Sequence, residues 1–122
     1  HLDDLLGWAS ARLTGALACA VAPLAGGIPL RAATTMLRDA ADHPSPNGGW
    51  CEAAWAGALG VRLGGANTYG DRVEVRGTLG NPDWPHPSAG DVRQAARLVT
   101  AVTAAATALA ATTAALVTRR TR

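Results

Sequence analysis

The stretch LVTAVTAAATALAATTAALVT, residues 98–118, contains twenty-one residues without a charge, and RRTR follows it at residues 119–122. As an α-helix, this stretch would extend over roughly 30 Å, about the thickness of the hydrocarbon core of a membrane. Its six leucine and valine residues favour insertion into lipid, whereas its nine alanines and six threonines contribute little. We therefore predict a membrane-spanning helix that is held mainly by other helices. An Ala-rich helix in a soluble bundle is the alternative.

A second apolar stretch, residues 13–30, carries no charge between Arg12 and Arg31. We predict a helix over residues 3–25, and the uncharged stretch is close to the length of a membrane span. Two prolines and two glycines interrupt its C-terminal half. Because these residues break helices, the segment is predicted to span the membrane, to re-enter it, or to stop at its interface.

The intervening residues 31–97 are more polar and are broken by prolines and glycines. Ser88 and Asp91 resemble the capping box of a helix that would continue to the C-terminus. Residues 72–79 alternate between apolar and polar side chains, as a strand does, but this strand signal is isolated. The predicted elements are a helix over 29–42, a loop over 43–49, a helix over 50–63, a turn over 64–70, a strand over 72–79 and a loop over 80–90.

The composition favours closely packed helices. Alanine supplies nearly half of the apolar residues and phenylalanine is absent, so a water-soluble core would bury little area, whereas small residues let membrane helices approach each other. All eleven basic residues are arginines, and they are spread along the chain, which gives no support for nucleic-acid binding. We predict an all-α membrane protein of Ala-rich helices, with a long polar loop region that contains at most a short strand or hairpin.

Two parts of the polar region hold most of the chemically versatile side chains. The loop stretch is HPSPNGGWCE at residues 43–52, and the glycine stretch is GVRLGGANTYG at residues 60–70. A loop that leads into a helix N-terminus favours anions, and a Gly-Gly turn lets bare backbone approach a ligand. Ordinary turn formation and helix capping explain the same residue types equally well. The candidates are His43, Ser45, Asn47 and Glu52 in the loop stretch, and Arg62, Asn67 and Tyr69 in the glycine stretch.

Residues 43–70 resemble the CobD/CbiB family of cobalamin-biosynthesis proteins, whose members read close to H-P-S-P-N-A-G-W-P-E-A-A-x-A-G-A-L-G-V-R-L-G-G-P-N-x-Y-G. This chain departs from that pattern at Gly48, Cys51 and Ala66.

The beginning of the chain carries a second part of the resemblance. Residues 3–14, DDLLGWASARLT, are similar to the family's D-D-x-x-N-W-I-P-A-R-L-T, with Gly7 and Ser10 in place of the asparagine and the proline. The match covers most of residues 1–98.

The resemblance implies a larger membrane protein. Family members are polytopic and longer than this chain, so residues 1–122 would be a single C-terminal portion of a larger membrane domain, with residues 31–97 as its polar part. The start at His1 rather than Met also indicates a piece of a longer chain. The expected location is the cell membrane, with several passes. Expected partners are membrane lipid and the N-terminal half or other membrane enzymes of the same pathway, but no nucleic acid.

The resemblance also implies an activity, that of adenosylcobinamide-phosphate synthase. This ligase joins (R)-1-amino-2-propanol or its O-phosphate to the corrinoid adenosylcobyric acid, with ATP as co-substrate, Mg²⁺ as the metal and no tightly bound cofactor. A histidine exchanges protons near neutral pH, so His43 is the expected base. The implied catalytic residues are His43, Glu52 and Arg62; the implied substrate-binding residues are Arg12, Ser45, Asn47, Asn67 and Tyr69; and the implied magnesium ligands are Asp3 and Asp4.

The three tryptophans Trp8, Trp50 and Trp55 are predicted to anchor the chain at the membrane interface, where indole rings prefer to lie. Contact with the flat corrin ring is the alternative. Other readings of the whole chain also stay open. They are a non-catalytic AmpE-like membrane relative, an inactive or partial copy that needs its N-terminal half, and a soluble helical binding module.

Overall fold

The computed structural model describes residues 2–121, which form four α-helices and one β-hairpin. Three helices, α1, α2 and α3, pack around a small core, the hairpin of β1 and β2 follows α3, and the long helix α4 ends the described chain. The bounds are α1 Leu2–Val21, α2 Pro29–Asp39, α3 Gly48–Leu59, β1 Leu63–Tyr69, β2 Arg72–Leu79 and α4 Ala89–Arg120.

The first helix ends close to the predicted position, but its last turn is tighter than an α-helix. Residues Ala22–Ala25 form a 3-10 turn with Pro23 in its first positions. Gly26 then adopts a φ of 77°, and its N–H donates to the carbonyl of Pro23. Only glycine adopts this backbone region without strain, so the chain reverses here and α2 begins at Pro29, as predicted.

The core of the first three helices consists mostly of alanine and glycine. Ala18, Ala32 and Ala53 are fully buried. A Cβ added at Gly57 of α3 would lie 2.7 Å from the Cα of Ala32 on α2. The backbones of α2 and α3 therefore pack in direct contact, which is the arrangement that the composition predicted.

The region after α3 differs from the sequence prediction. The helix ends at Leu59, not at residue 63, because Gly60 adopts a φ of 70° and its N–H donates to the carbonyl of Ala56. The predicted turn over residues 64–70 is wrong, since β1 pairs antiparallel with β2 over this range, from Leu63 opposite Leu79 to Tyr69 opposite Arg72. Because a glycine-rich sequence has a low strand propensity, the sequence did not predict the first strand of this hairpin.

The hairpin is attached to α2 through a buried carboxylate. Asp39 is only 4% exposed, and one of its oxygens accepts a 2.8 Å hydrogen bond from the N–H of Gly80. The guanidinium of Arg38 donates to both oxygens, one of them at 2.7 Å. Burial opposes ionisation of Asp39, but the hydrogen bonds from Arg38 and Gly80 outweigh it and hold the pKa of the carboxyl below its usual value.

The last helix begins as predicted and extends far beyond the core. Ser88 and Asp91 form a reciprocal capping box at its N-terminus. Only Leu98 and Val102 are buried along its 32 residues. Arg119 and Arg120 lie in its last turn, whereas Arg122 lies outside the described residues.

Two segments are long and apolar enough to cross a membrane, Leu2–Ala25 and Ala89–Arg120. In the most apolar 18-residue stretch of each segment, 22% of the first and 11% of the second is buried within residues 2–121. The core helix of a soluble protein would be mostly covered, so this outward-facing apolar surface fits a membrane protein. The fold is mostly helical with one small sheet, in agreement with the sequence prediction.

Candidate functional site

The loop stretch forms a rigid connection into α3. The hydroxyl oxygen of Ser45 accepts a 3.1 Å hydrogen bond from the N–H of Gly48, the first residue of that helix. A Cβ added at Gly49 would lie 2.1 Å from the carbonyl oxygen of Ala40. Gly49 is therefore required, because the helix N-terminus lies directly against the end of the preceding helical segment.

His43 and Glu52 form a pair on this surface. The Nε2 atom of His43 lies 3.3 Å from a carboxylate oxygen of Glu52, and the His43 side chain is 14% exposed. The backbone N–H of Ser45 donates to Nδ1 of His43 at 3.0 Å. Because this N–H can only donate, Nδ1 accepts from it, and a neutral ring then carries its proton on Nε2, the ring nitrogen that lies near Glu52. Both ring nitrogens are thus engaged.

Arg12 of α1 lies between two tryptophan rings beside this loop. Its guanidinium carbon is 4.2 Å from the ring centre of Trp8 and 4.6 Å from that of Trp50. Its Nη1 donates to the carbonyl of Trp8 at 3.0 Å and reaches the amide oxygen of Asn47 at 3.5 Å. The amide nitrogen of Asn47 donates in turn to the carbonyl of Asp4 at 2.9 Å. These contacts attach α1 to the loop stretch.

A cavity of about 410 Å³ opens between these elements. Its lining includes Arg12, His43, Trp50 and the two prolines of the loop stretch. We call it the Arg12 cavity. A cation stacked between aromatic rings and partly shielded from water attracts anions such as phosphate or carboxylate. This cavity is therefore suited to an anionic ligand.

A second cavity, of about 420 Å³, lies on the other side of the first turns of α3. Trp55, Val61, Leu63 and Val92 give it an apolar lining, and we call it the apolar cavity. Cys51 also lines it; burial raises the pKa of this thiol, with a smaller contribution from the neighbouring charge of Glu52. The thiol is therefore held in its protonated, unreactive form.

Comparisons with known proteins show the family of this chain. The sequence model described as CobD/Cbib protein matches residues 1–99, which include α1, the loop stretch and the hairpin. The chain belongs to the CobD/CbiB family. No solved structure matches this family member.

Curated relatives of this CobD/CbiB chain carry the name cobalamin biosynthesis protein CobD. The protein from Mycobacterium tuberculosis strain H37Rv is 46% identical over 110 residues, which is 90% of this chain and 34% of the relative. The protein from Pelobacter propionicus is 49% identical over 82 residues, 67% of this chain and 25% of the relative. The protein from Geobacter metallireducens is 51% identical over 80 residues, 66% of this chain and 25% of the relative. The chain thus spans about a third of the length of these relatives, or less.

The candidate residues of the family pattern do not all lie together. Arg12, His43, Ser45, Asn47 and Glu52 surround the junction of α1 with the loop stretch. Arg62 instead lies beyond the C-terminal end of α3, where its Nη1 donates to the carbonyl of Pro82 at 2.9 Å and its Nη2 contacts Nε2 of His86 at 2.7 Å. The buried Nε of Arg62 has no hydrogen-bond partner.

Asn67 and Tyr69 belong to the hairpin of this CobD/CbiB chain, not to the loop junction. They pair with Glu74 and Arg72 across the two strands, and Tyr69 is 58% exposed. The glycine pair was expected to form a turn whose bare backbone a ligand could approach, but it lies in β1 at an irregularity of the strand register. Its polar side chains are therefore distributed along an exposed ribbon.

The two predicted magnesium ligands lie at the start of α1. Asp3 and Asp4 are exposed in its first turn, and the backbone of Asp4 bonds to the loop stretch through Asn47. Among residues 2–121, no group of three or more histidine, cysteine, aspartate or glutamate side chains lies close enough together to hold a metal ion. The magnesium assignment to Asp3 and Asp4 stays a prediction.

Sequence reasoning missed the packing of two tryptophans around Arg12. Trp8 and Trp50 were expected to anchor the membrane interface, and the structure places their rings on the guanidinium. The spacing of Trp8 and Arg12 by four residues, one helical turn, was a usable signal for half of this arrangement. No local signal pointed to Trp50, since it reaches Arg12 only through the packing of α3 against α1.

Proposed function

We propose that this chain acts in cobalamin biosynthesis, as the part of an adenosylcobinamide-phosphate synthase that holds polar groups of its active site at a membrane. The enzyme would join (R)-1-amino-2-propanol or its O-phosphate to a propionate of adenosylcobyric acid. One observation carries the proposal. Two segments that resemble the family, residues 3–14 and 43–52, are distant in sequence but meet around the Arg12 cavity.

The chemistry needs activation of a carboxylate, because a carboxylate does not react with an amine at neutral pH. In the proposed reaction, a carboxylate oxygen of the corrinoid attacks the γ-phosphorus of ATP, and ADP leaves with the bridging oxygen. The amine nitrogen then attacks the acyl phosphate carbon. The C–N bond forms, the C–O bond to phosphate breaks, and the ammonium proton passes to a base in the protein.

The Arg12 cavity supplies the electrostatic part of this reaction. The guanidinium is fixed by two rings and two hydrogen bonds before any ligand binds. A fixed cation stabilises negative charge that develops on a transferred phosphoryl group without the cost of reorienting it. Arg12 is therefore proposed to bind the phosphoryl group, with Asn47 and Ser45 keeping the loop in position.

Glu52 is proposed as the proton acceptor, with His43 as its positioning residue. The family resemblance gave the base role to His43, but Nδ1 of its ring accepts from the N–H of Ser45, and Nε2 lies 3.3 Å from the Glu52 carboxylate. A neutral ring whose Nδ1 accepts carries its proton on Nε2 and has no lone pair left for an ammonium proton. The carboxylate of Glu52 is 51% exposed and retains acceptor capacity, since an ionised carboxylate has about four lone-pair positions.

Magnesium would enter with the nucleotide. Mg²⁺ in such sites is usually held by one or two carboxylates together with the substrate phosphates. Asp3 and Asp4 offer two carboxylates on one exposed turn, and the backbone of that turn contacts the loop stretch. This arrangement is compatible with MgATP as a substrate at the mouth of the Arg12 cavity.

Assays of membranes that carry the chain test this proposal. The membranes would receive ATP, Mg²⁺, adenosylcobyric acid and aminopropanol or its phosphate, and the product would be detected by mass. A chimera would supply the rest of a family protein, with this chain replacing the matched 110 residues of the Mycobacterium tuberculosis relative. Product above empty membranes, from the chain or the chimera, supports the ligase. If the chimera is expressed in membranes but makes no product, while the unmodified relative does, a non-catalytic relative becomes the better reading.

A further inference from the structure

The outer part of the hairpin, residues 66–76, is largely exposed, and we call it the outer hairpin. Among residues 2–121, β1 and β2 form a sheet of two strands only, and no backbone group of a helix or loop bonds to residues 72–76. Val73 and Val75, which share one face, are 63% and 79% exposed. A ribbon of two strands is only marginally stable by itself in water, and its free edge is a template for a further strand. The outer hairpin is therefore suited to pairing with another chain.

The register of the hairpin indicates which backbone groups lie on the free edge of β2. A two-residue turn, residues 70–71, joins the strands, and Tyr69 lies opposite Arg72. In a hairpin with such a turn, the pair that flanks the turn exchanges backbone hydrogen bonds, and so does every second pair beyond it. The N–H and C=O groups of Val73 and Val75 therefore point away from β1, where a further antiparallel strand can bond to them.

The side chains along this edge are in a self-complementary order. Residues 72–76 read RVEVR, with Glu74 at the centre. The carboxylate of Glu74 lies 3.2 Å from the guanidinium of Arg76, whereas Arg72 takes part in none of the ion pairs of the described chain. If two copies of β2 pair antiparallel with Val73 on the two-fold axis, each Arg72 lies opposite Glu74 of the other copy. With Glu74 on the axis instead, two carboxylates would face each other, and like charges directly opposite destabilise a sheet.

We infer that the free edge of β2 pairs with the same edge of a second copy of this chain, as antiparallel strands with Val73 on the two-fold axis. The valines of both copies would pack together on one face of a four-stranded sheet, and two Arg72–Glu74 pairs would form on the other face. Because each copy uses its only such edge, the assembly closes at two. Paired edges of about five residues are far smaller than a standard stable interface, so the dimer should dissociate on dilution. The hairpin does not line the Arg12 cavity, and this inference is independent of the proposed function.

Cysteine cross-linking of the full chain in detergent micelles tests the register. On a background of Cys19→Ala and Cys51→Ala, Val73→Cys should form a disulfide-linked dimer under mild oxidation. The Cα atoms of a hydrogen-bonded antiparallel pair are about 5.5 Å apart, which a disulfide can span. Two controls should cross-link far more slowly: Thr68→Cys, which lies opposite Val73 on β1, and Val75→Cys, two residues from the axis. Non-reducing electrophoresis measures the dimer fraction over time.

Charge variants test the pairing without any cross-link. Glu74→Arg places two arginines opposite each other on both sides of the axis and should raise the Kd of the dimer about tenfold. The double variant Arg72→Glu with Glu74→Arg restores opposite charges across the axis and should recover most of the affinity. Asp83→Arg, in the exposed loop before α4, changes the net charge by the same amount and should leave the Kd unchanged. Sedimentation equilibrium at several ratios of protein to detergent measures the Kd.

Three results would overturn the inference. The first is a monomer at every ratio, with cross-linking no faster at Val73→Cys than at Thr68→Cys. The second is a dimer that Glu74→Arg leaves intact or that cross-links faster through Val75→Cys, because its interface would then be a different one. The third is a chimera that does not cross-link through Val73→Cys although the chain alone does, because the rest of the family protein would then cover the edge. Fast cross-linking at Val73→Cys in both proteins, together with recovery by the double variant, supports the paired edge.

Discussion

The loop stretch and the glycine stretch contain similar residues, but the first forms a packed junction at the start of a helix and the second forms an exposed strand. Each has a Gly-Gly pair, an asparagine and a charged side chain. In the loop stretch, Gly49 lies against the backbone of Ala40, and the polar groups face a helix junction. In the glycine stretch, Gly64 and Gly65 have φ values of 80° and 83° and form an irregular strand on an exposed hairpin. A Gly-Gly pair alone therefore does not indicate a binding site. Its role depends on which part of the chain packs against the glycines.

The largest expected difference between the two regions is in catalysis. Glu52 in the loop stretch and Glu74 in the hairpin are both 51% exposed and each contacts one cationic or ionisable partner. Glu52→Gln in the chimera should lower turnover by about 10²- to 10⁴-fold, because a positioned base contributes that much. Glu74→Gln should leave turnover unchanged. Steady-state rates with equal amounts of membrane protein measure both, and similar rates for the two variants would contradict the assignment of Glu52.

The next difference concerns packing at the glycines. Gly49→Ala would place a Cβ 2.1 Å from the carbonyl oxygen of Ala40, and backbone cannot move away easily. We expect destabilisation of about 3 kcal/mol, the upper part of the range for overpacking. Gly70→Ala, at a φ of 59° with no atom within 4 Å, should cost only about 1 kcal/mol. Thermal unfolding in micelles compares the two, and equal losses would show that the contact with Ala40 is not restrictive.

A smaller effect should come from the attachment of the hairpin to α2. The folded-state pKa of Asp39 is below its usual value, so ionised Asp39 stabilises the fold at pH values above the ordinary carboxyl pKa. This stabilisation is lost as the pH falls through the folded pKa. Asp39→Asn should cost about 1–3 kcal/mol near neutral pH, since a buried charged hydrogen-bond acceptor is lost. The difference from wild type should shrink below about pH 4. Chemical unfolding at several pH values measures the difference in the free energy of unfolding between the variant and the wild type. A difference that does not change with pH would contradict the role of ionised Asp39.

The smallest expected effect distinguishes a stacked arginine from an exposed one. Arg12→Lys keeps the charge but loses the planar contact with Trp8 and Trp50, which is worth about 1 kcal/mol. We expect an increase of about fivefold in the KM for ATP in the chimera. Arg76→Lys, on the exposed hairpin, should leave this KM unchanged. Equal KM values for both variants would remove Arg12 from the proposed phosphoryl site.

Much of the local structure was predictable from residue patterns. The starts of α2 and α4 and the strand at Arg72–Leu79 agree with the predictions. The loop predicted over residues 43–49 is two residues too long, because α3 already begins at Gly48. Each correct prediction depends on a local rule, such as proline in a first turn or a capping box. The strand Leu63–Tyr69 could not be found this way, because it exists only through pairing with its neighbour.

The positions of the candidate site residues were likewise predictable where they depend on local sequence and unpredictable where they depend on packing. His43, Ser45 and Glu52 lie together because they are close in sequence. The short loop and the single helical turn that connect them cannot place their side chains far apart. Arg62 was expected at the same site, but the intervening helix places it beside Pro82 and His86. Closeness in sequence to a motif therefore does not predict closeness in space when a helix lies between the motif and the residue.

By itself, the sequence determined the family, the two long apolar helices, the capping of α4 and the helix start at Pro29, since composition, spacing and local hydrogen bonding act within a few residues along the chain. Only the tertiary structure decided that Trp8 and Trp50 enclose Arg12, that His43 lies beside Glu52, and that the Arg12 cavity and the apolar cavity form at opposite sides of the start of α3. These depend on the close packing of α1, α3 and α4, and the small residues that permit this packing do not specify which side chains will meet.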